Sequence, residues 1–231
     1  MNDKNTIQRS YYVDQIVASM GTPMIKVISG MRRVGKSSIM QSVIDHLIEI
    51  GKMPSESVFV LNKELPEFWD IRDERSLYDI LTPFFALQTG RCIIAIDEVQ
   101  EISGWERVVS GILAQYGDRC DIIITGSNSH LLSGDLATLI AGRYIVFQIF
   151  PLSWEEYRQF TGQPHSRLSF LEFMEYGGLP GIHVFPVGSP LRMSYLRSVY
   201  ESIVLRDIVE RFQIRGFDFL RNLYHYTCGN I

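Results

Sequence analysis

The stretch Gly30-Met31-Arg32-Arg33-Val34-Gly35-Lys36-Ser37 decides the fold, because two glycines five residues apart are followed by Lys and Ser. This is the pattern of a phosphate-binding loop (P-loop), whose glycines let backbone N–H groups turn toward phosphate oxygens. Lys36 supplies a mobile positive charge for the β- and γ-phosphates, and the Ser37 hydroxyl is a ligand for Mg²⁺. An apolar run at 24–29 and helical spacing of apolar residues over 39–48 predict a strand before the loop and a helix after it. A glycine-rich turn without a ligand would leave that order unexplained.

A second candidate feature is the apolar run of residues 92–97, which ends in Asp97 and is followed by Glu98. A P-loop ATPase needs an aspartate at such a strand end to hold the Mg²⁺ shell, because the metal bridges phosphate oxygens. Glu98 can polarise an attacking water as a general base. The Asp-Glu pair therefore favours hydrolysis over phosphoryl transfer to another substrate.

Two weaker candidates follow further along the chain. Ser127 or Asn128, after the apolar run of 121–126, can orient a water or touch the γ-phosphate, and each can equally cap the next helix. Arg143 can stabilise charge on the γ-phosphate in the transition state, from its own subunit or from a neighbouring one. On local sequence alone, a surface arginine in a salt bridge is the favoured interpretation of Arg143.

Strand-like and helical patterns alternate over the first 150 residues, which predicts a parallel sheet with helices on both faces. Ligands of such sheets bind at the carboxyl ends of the strands, where the P-loop and Asp97 would lie. Within this region one helix is predicted to be capped by Ser76 and to run to about 88, and another to open at Gly104-Trp105 and run to about 116. The predicted strands are 24–29, 57–61, 92–97, 121–126 and 144–149.

After residue 150 the pattern becomes helical. Helices are predicted over 153–161, 166–176 and 189–215, with Pro190 at a first helical position and a glycine-rich break at 177–181. Arginines and acidic residues alternate along the last of these, which favours a solvated, salt-bridged face over a nucleic-acid stripe. The residues concerned are Arg192, Arg197, Glu201, Arg206, Asp207, Glu210, Arg211 and Arg215.

The composition narrows the class of protein. The chain has 231 residues and a net charge of −4, so no overall field draws it to nucleic acid or anionic lipid. Its three cysteines lack metal-ligand spacing, and Cys92 and Cys120 adjoin apolar runs, as buried reduced thiols do. No run approaches the ~18 apolar residues of a membrane span, and the polar start is unlike a signal segment. We therefore expect a cytoplasmic protein with no membrane partner.

With these residues in place, the chain resembles the prokaryotic AAA-type ATPases that carry a C-terminal winged-helix region and a further domain of uncharacterised function. The resemblance covers nearly all of the chain, from about Arg9 to the end. It rests on residues 28–38, with the double arginine inside the loop, and on Ile96-Asp97-Glu98-Val99-Gln100 followed by Trp105-Glu106. The remaining segments are Thr125-Gly126-Ser127, Ala141-Gly142-Arg143-Tyr144, Pro151-Leu152-Ser153-Trp154-Glu155-Glu156 and Tyr176-Gly177-Gly178-Leu179-Pro180.

The resemblance implies an α/β P-loop NTPase with a parallel five-stranded sheet of order 5-1-4-3-2, with ATP as ligand and Mg²⁺ as cofactor. It makes Ser127 a candidate sensor and Arg143 a candidate arginine finger or sensor at the mouth of the site. Lys36 and Glu98 would also be catalytic, and Ser37 and Asp97 would hold the metal. The nucleotide-binding residues would be Gly30, Met31, Arg32, Arg33, Val34, Gly35, Lys36, Ser37 and Ser38.

The same resemblance divides the chain into a P-loop ATPase core at 1–150 and a helical lid subdomain at 151–231, which leads into a truncated winged-helix region. Members of the family usually continue into a winged helix and a second domain. We therefore expect this chain to be a fragment, with any DNA or protein partner bound through the missing C-terminal region. Self-association is a further expectation, since AAA-type sites usually lie between subunits.

The favoured interpretation is an ATPase that couples nucleotide state to movement of the helical subdomain. One alternative is a slow nucleotide-dependent switch whose output is partner or DNA binding. Another is a P-loop small-molecule kinase, which needs a substrate pocket with its own basic or polar lid, and Glu98 argues against it. Asn62-Lys63-Glu64 does not match the guanine-reading motif of GTPases, because it lacks the aspartate and precedes the Asp97 strand.

Overall fold

The computed structural model describes residues 9–127, 140, 142–203, 209 and 217–229. Strands and helices alternate up to residue 127, and the described segments after residue 149 are helical. The order is α1 (Ser10–Ser19), β1 (Ile25–Gly30), α2 (Lys36–Glu49), β2 (Val58–Asn62), α3 (Glu74–Leu87), β3 (Cys92–Asp97), α4 (Trp105–Tyr116), β4 (Cys120–Ser127), β5 (Tyr144–Ile149), α5 (Trp154–Thr161), α6 (Arg167–Tyr176), α7 (Leu191–Ser202) and α8 (Phe217–Gly229).

The five strands form one sheet in which every neighbouring pair is parallel and the order is β2-β3-β4-β1-β5. This confirms the predicted fold class and the predicted strand order. All residues of β1, β3 and β4 are buried, as expected for central strands covered on both faces. Because all strands run the same way, their carboxyl ends share one edge of the sheet, which we call the carboxyl edge.

Alternate side chains of the strands enter two separate apolar cores, one on each face of the sheet. On one face, Ile94 and Ile96 of β3 pack with the buried residues of α3 and α4. On the other, Ile93 and Ala95 of the same strand pack with α1 and α2. Cys92 and Cys120 are buried and free, in agreement with the prediction for these thiols. The helix α1 was not predicted from the sequence.

The amino terminus of α3 differs from the prediction. Asp73, not Ser76, is the N-cap: its side chain accepts a hydrogen bond from the Ser76 backbone N–H at 2.8 Å. The Ser76 hydroxyl in turn accepts from the Asp73 backbone N–H, which completes a capping box. An Asp three residues before a Ser satisfies two otherwise unpaired helix N–H groups at once, so the helix starts earlier than the lone serine suggested.

Helices α5 and α6 begin where the sequence predicted, each at a serine that forms a capping box. The Ser153 hydroxyl accepts from the Glu156 N–H and the Ser166 hydroxyl from the Ser169 N–H. An aromatic cluster then joins the two helices, because the Trp154 ring lies 5.5 Å from that of Phe173. The predicted division at residue 150 falls between β5 and α5 and stays a prediction.

The last predicted helix, 189–215, is described only in part. Helix α7 starts at Leu191, immediately after Pro190 rather than with it, and ends at Ser202. Most of the predicted continuation to 215 lies outside the described residues, as do Arg206, Asp207, Glu210, Arg211 and Arg215. Arg192 does not belong to a solvated face: it is 2% exposed, pairs with Glu172 and donates to the Phe185 carbonyl. None of the described helices is long and apolar enough to cross a membrane.

His183 makes the helical region sensitive to acid. Burial and the nearby Arg192 charge lower the pKa of His183 to about 4 from an ordinary value of 6.5, and neither ring nitrogen has a hydrogen-bond partner among the described residues. The unfolded chain therefore binds this proton between pH 6.5 and 4 while the folded chain does not. Stability supported by neutral His183 is complete above pH 6.5 and falls as the pH drops toward 4.

We expect His183→Phe to remove part of the loss of stability between pH 7 and pH 5. The phenyl ring keeps the aromatic contact with Tyr157, whose ring centroid lies 5.0 Å from that of His183, but it cannot be protonated. Urea unfolding of both proteins at pH 7 and pH 5 measures the effect. An identical pH dependence in the two proteins would contradict a neutral, buried His183.

Candidate functional site

The P-loop joins the end of β1 to the start of α2 at the carboxyl edge of the sheet. Gly30 is required by close packing, because a Cβ atom at this position would lie 2.5 Å from the Ile149 carbonyl oxygen. Gly35 has φ 96° and Arg33 has φ 66°, so both lie in the left-handed region that turns the loop. No side chain among the described residues caps α2 at Gly35, which leaves its first N–H groups for an anion.

Lys36, the first residue of α2, reaches back across the loop. Its ammonium lies 3.3 Å from the Met31 carbonyl oxygen and 3.7 Å from Glu98 Oε1, and the residue is only 4% exposed. The loop thus holds its lysine over the end of β3, where the predicted carboxylates lie. The predicted residues Lys36 and Glu98 are brought together by the fold.

Asp97 is the last residue of β3 and is fully buried. Its Oδ1 accepts a hydrogen bond from the Thr125 hydroxyl, whereas Oδ2 is buried with no hydrogen-bond partner among the described residues. Burial raises the pKa of Asp97, and the Thr125 and Ser37 hydroxyls act in the opposite direction. A buried carboxylate oxygen beside the hydroxyl of Ser37 fits a Mg²⁺ ion or its water shell, because a cation would offset the cost of burying that charge.

Glu98 follows Asp97 in the left-handed conformation, with φ 53°. Its backbone N–H donates to Thr125 Oγ1 at 3.0 Å, and its Oε2 accepts from the Gln100 side-chain amide. Thr125 therefore contacts both acidic positions from the neighbouring strand β4. Sequence reasoning assigned no role to Thr125 itself; its position four residues into an apolar run, beside a small polar end, is the signal that could have found it.

Ser127 is the last residue of β4 and pairs in register with Gly30, the first residue of the P-loop. It is 3% exposed. This placement beside the loop is compatible with the predicted sensor role, which stays a prediction. The alternative candidate, Asn128, lies outside the described residues.

Arg143 lies at the opposite edge of the sheet from the P-loop. Its carbonyl oxygen accepts a hydrogen bond from the Ile25 N–H at 2.9 Å, and Tyr144 pairs with Ile25, the first residue of β1. The five residue steps from Ile25 to Gly30 span about 16 Å, which is more than an arginine side chain can reach. Because β5 runs parallel to β1 and Arg143 precedes it, Arg143 does not lie at the mouth of the site in its own chain, and a role at the site of a neighbouring subunit stays a prediction.

No role was predicted for Arg9, whose side chain connects the P-loop with the helices that follow the sheet. Its guanidinium donates to the carbonyl oxygens of Val34 at 3.2 Å and Phe150 at 2.9 Å. The same group binds both carboxylate oxygens of Glu156 in α5, at 2.7 and 3.0 Å. Burial alone would raise the pKa of Glu156, but hydrogen bonds from Arg9 and Ser153 hold it below its ordinary value.

Arg33 makes a second link from the loop to the helical region. Its guanidinium carbon lies 5.7 Å from the centre of the Tyr195 ring in α7, within the range of a cation–π contact. Neither Arg9 nor Tyr195 carries a local signal in the sequence, because contacts of this length along the chain depend on tertiary packing. Arg32 and Arg33 were predicted to bind nucleotide, but the contact between Arg33 and Tyr195 was not predicted.

Two described cavities flank the acidic residues. One, of about 480 Å³, lies beside Glu98 and is lined by Arg32, Lys63, Glu64, Trp69, Arg72, Glu98 and Glu101. The other, of about 430 Å³, runs along α2 and is lined by Ser37, Ser38, Gln41, Ser42, Asp45, Glu49 and Asn62. A larger apolar groove of about 620 Å³ lies between α3 and α4 and includes none of the predicted site residues.

Comparison with known proteins agrees with this geometry. Residues 22–158 match the family model described as an AAA domain. An uncharacterized protein of Haemophilus influenzae is 33% identical over 99% of this chain and 57% of its own length. An uncharacterized protein of Methanocaldococcus jannaschii is 29% identical over 83% of this chain and 43% of its own length. The chain thus spans about half the length of the curated relatives it matches.

Solved structures share the fold at low sequence identity. AMPPCP-bound DnaA from Aquifex aeolicus is 12% identical, with a TM-score of 0.50 over 91% of this chain and 70% of its own. A DNA polymerase III gamma subunit-related protein from Thermotoga maritima is 10% identical, with a TM-score of 0.51 over 75% of this chain and 56% of its own. At these identities the likeness supports the P-loop NTPase fold and nothing finer.

Proposed function

Because the chain belongs to the AAA domain family, we propose that it binds ATP with Mg²⁺ at residues 30–38 and hydrolyses the γ-phosphate. The observation that carries the proposal is the meeting of Lys36 and Glu98, whose Nζ and Oε1 atoms lie 3.7 Å apart at the carboxyl edge. A lysine for the phosphates and a carboxylate for the water are both needed for hydrolysis, and here they come from different elements. They meet because the P-loop and the end of β3 lie at the same edge of the parallel sheet.

Each residue of the site has a task in this proposal. The N–H groups of residues 30–38 and the Lys36 ammonium bind phosphate oxygens, which the left-handed turns at Arg33 and Gly35 allow. Asp97 and Ser37 would hold Mg²⁺, which neutralises charge on the phosphates when bound. Glu98 accepts a proton from the attacking water, and Thr125 fixes the backbone from which Glu98 projects.

We further propose that the nucleotide state is passed to the helices after residue 150 through Arg9 and Arg33. Arg9 holds the carbonyl oxygen of Val34 inside the loop and the carboxylate of Glu156 in α5. Arg33 faces Tyr195 in α7. A change of loop conformation on binding phosphate would alter both contacts, and both end on the helical region. Binding of a DNA or protein partner would be the output of this coupling.

Glu98→Gln is expected to keep ATP bound while slowing hydrolysis at least ~10²-fold, because the positioned base is lost but the metal ligand Asp97 remains. Steady-state phosphate release and titration of a fluorescent ATP analogue measure the two effects. Asp97→Asn is the matched comparison: it should weaken the dependence on Mg²⁺ instead. Hydrolysis by Glu98→Gln at the wild-type rate would remove Glu98 from the mechanism.

The same assay separates the alternatives. Phosphate release that continues at steady state without any added acceptor supports an ATPase. A single turnover followed by no further release would instead indicate the slow nucleotide-dependent switch. ADP formation that requires an acceptor would indicate a kinase, for which the cavity beside Glu98 with Arg32, Lys63 and Arg72 would be the substrate pocket.

A further inference from the structure

Gln100 holds the Glu98 carboxylate by the oxygen that does not face Lys36. Its Nε2 donates a hydrogen bond to Glu98 Oε2, and the other carboxylate oxygen, Oε1, faces the Lys36 ammonium. The carboxylate is thus held between an amide on one oxygen and a cation on the other. These two contacts define the position from which Glu98 would act.

The backbone around this pair is fixed independently of the two side chains. Residues Val99–Glu101 form a single 3-10 turn, and Val99 between the two side chains is fully buried in the core beneath α3 and α4. The Glu98 N–H is bonded to Thr125. The turn therefore presents Glu98 and Gln100 from a rigid base, and the hydrogen bond between them determines where the Glu98 side chain points.

The Gln100 amide has little else to do. Its Oε1 is buried and has no hydrogen-bond partner among the described residues, so Glu98 is the only side chain that its amide is seen to bind in that part of the chain. If packing were the only role of this position, an apolar side chain would serve it better, because a buried amide with only part of its hydrogen bonds made is unfavourable. Its removal should consequently alter Glu98 and little else.

We propose that Gln100 is a positioning residue for Glu98. The inference rests on the proposed ATPase function. When phosphate oxygens replace Glu98 as the partner of the Lys36 ammonium, Glu98 Oε1 loses its ion pair, and the bond from Gln100 to Oε2 is what keeps the carboxylate in place. Oε1, which faces the P-loop, is then the oxygen free to take a proton from water. Without Gln100 the carboxylate would sample other rotamers and meet that water less often.

The test compares Gln100→Met and Gln100→Ala with the wild type in steady-state ATP hydrolysis. Methionine keeps the length and volume of glutamine but cannot donate a hydrogen bond, so it controls for packing; alanine removes both. Each variant is expected to lower kcat about 10-fold, less than the ~10²-fold loss expected when the base itself is removed, with KM and the affinity for a fluorescent ATP analogue within about twofold of wild type. Retained affinity also shows that each variant is folded.

A double-mutant comparison with Glu98→Gln isolates the route by which Gln100 acts. If Gln100 acts only through Glu98, then Glu98→Gln/Gln100→Met should hydrolyse ATP at the rate of Glu98→Gln alone. Independent losses that multiply, or wild-type kcat in both Gln100 variants, would overturn the assignment of Gln100. A wild-type protein that binds ATP but releases no phosphate would instead overturn the proposed hydrolysis, and the Gln100 assignment with it.

Discussion

Replacing Lys36 with alanine is expected to weaken ATP binding about 10²–10⁴-fold, because charge-assisted hydrogen bonds to two phosphates are each worth about 1.5–3 kcal/mol. Lys36 is the lysine of the P-loop, and its ammonium already lies inside the loop, 3.3 Å from the Met31 carbonyl. The substitution would also remove the ion-pair partner of Glu98, whose Oε1 is 3.7 Å from the same ammonium.

Titration of a fluorescent ATP analogue in the presence of Mg²⁺ measures this effect. Lys52→Ala is the matched control. It removes the same charge from the chain, and Lys52 is exposed just beyond the end of α2. The control should bind like the wild type. If Lys36→Ala bound the analogue with unchanged affinity, the loop would not be a nucleotide site, and the roles given to Glu98 and Gln100 would lose their basis.

The fold could be predicted from the sequence because its determinants are local. An apolar run such as Cys92–Asp97 is buried on both faces and has no polar alternation, which is typical of a central parallel strand. The P-loop pattern fixes the order strand, loop, helix around Gly30–Ser37. The order of the strands is not contained in these local features; it was implied by the family resemblance, and the structure has that order. The predicted N-cap of α3, Ser76, is wrong because Ser76 is the third helical residue of a capping box whose N-cap is Asp73.

The site was predictable only as far as it consists of strand ends. Asp97, Glu98 and Ser127 follow apolar runs, and parallel strands bring such ends to one edge. Arg9 and Tyr195 reach the loop from elements distant in sequence, so no local pattern indicates them. Arg143 is the opposite case, because its position at the amino end of β5 follows from the predicted strand 144–149 and the parallel sheet, whereas its placement at the mouth of the site was implied only by the resemblance.

The position of Arg143 changes what its mutation should do. The side chain is exposed at the edge of the sheet about 16 Å from the level of the P-loop in its own chain. An effect on that chain's own nucleotide by direct contact is therefore excluded by distance. If Arg143 is an arginine finger, it must act on the nucleotide of a neighbouring subunit, where such an arginine is worth ~10³–10⁵ in rate.

Mixing two inactive variants distinguishes this trans role from a surface salt bridge. Arg143→Ala alone is expected to lose hydrolysis by ~10³-fold or more while still binding ATP, and Lys36→Ala alone is expected not to bind. In a mixture, an intact Arg143 of the Lys36→Ala subunit would meet an intact P-loop of the Arg143→Ala subunit. Phosphate release should then rise above that of either variant and pass through a maximum as the ratio is varied.

Arg197→Ala serves as the control for loss of a surface arginine outside the sheet, and it should hydrolyse ATP like the wild type. Full activity of Arg143→Ala without any mixing would leave Arg143 as a surface arginine, whereas two variants that stay inactive at every ratio would contradict a finger acting between subunits.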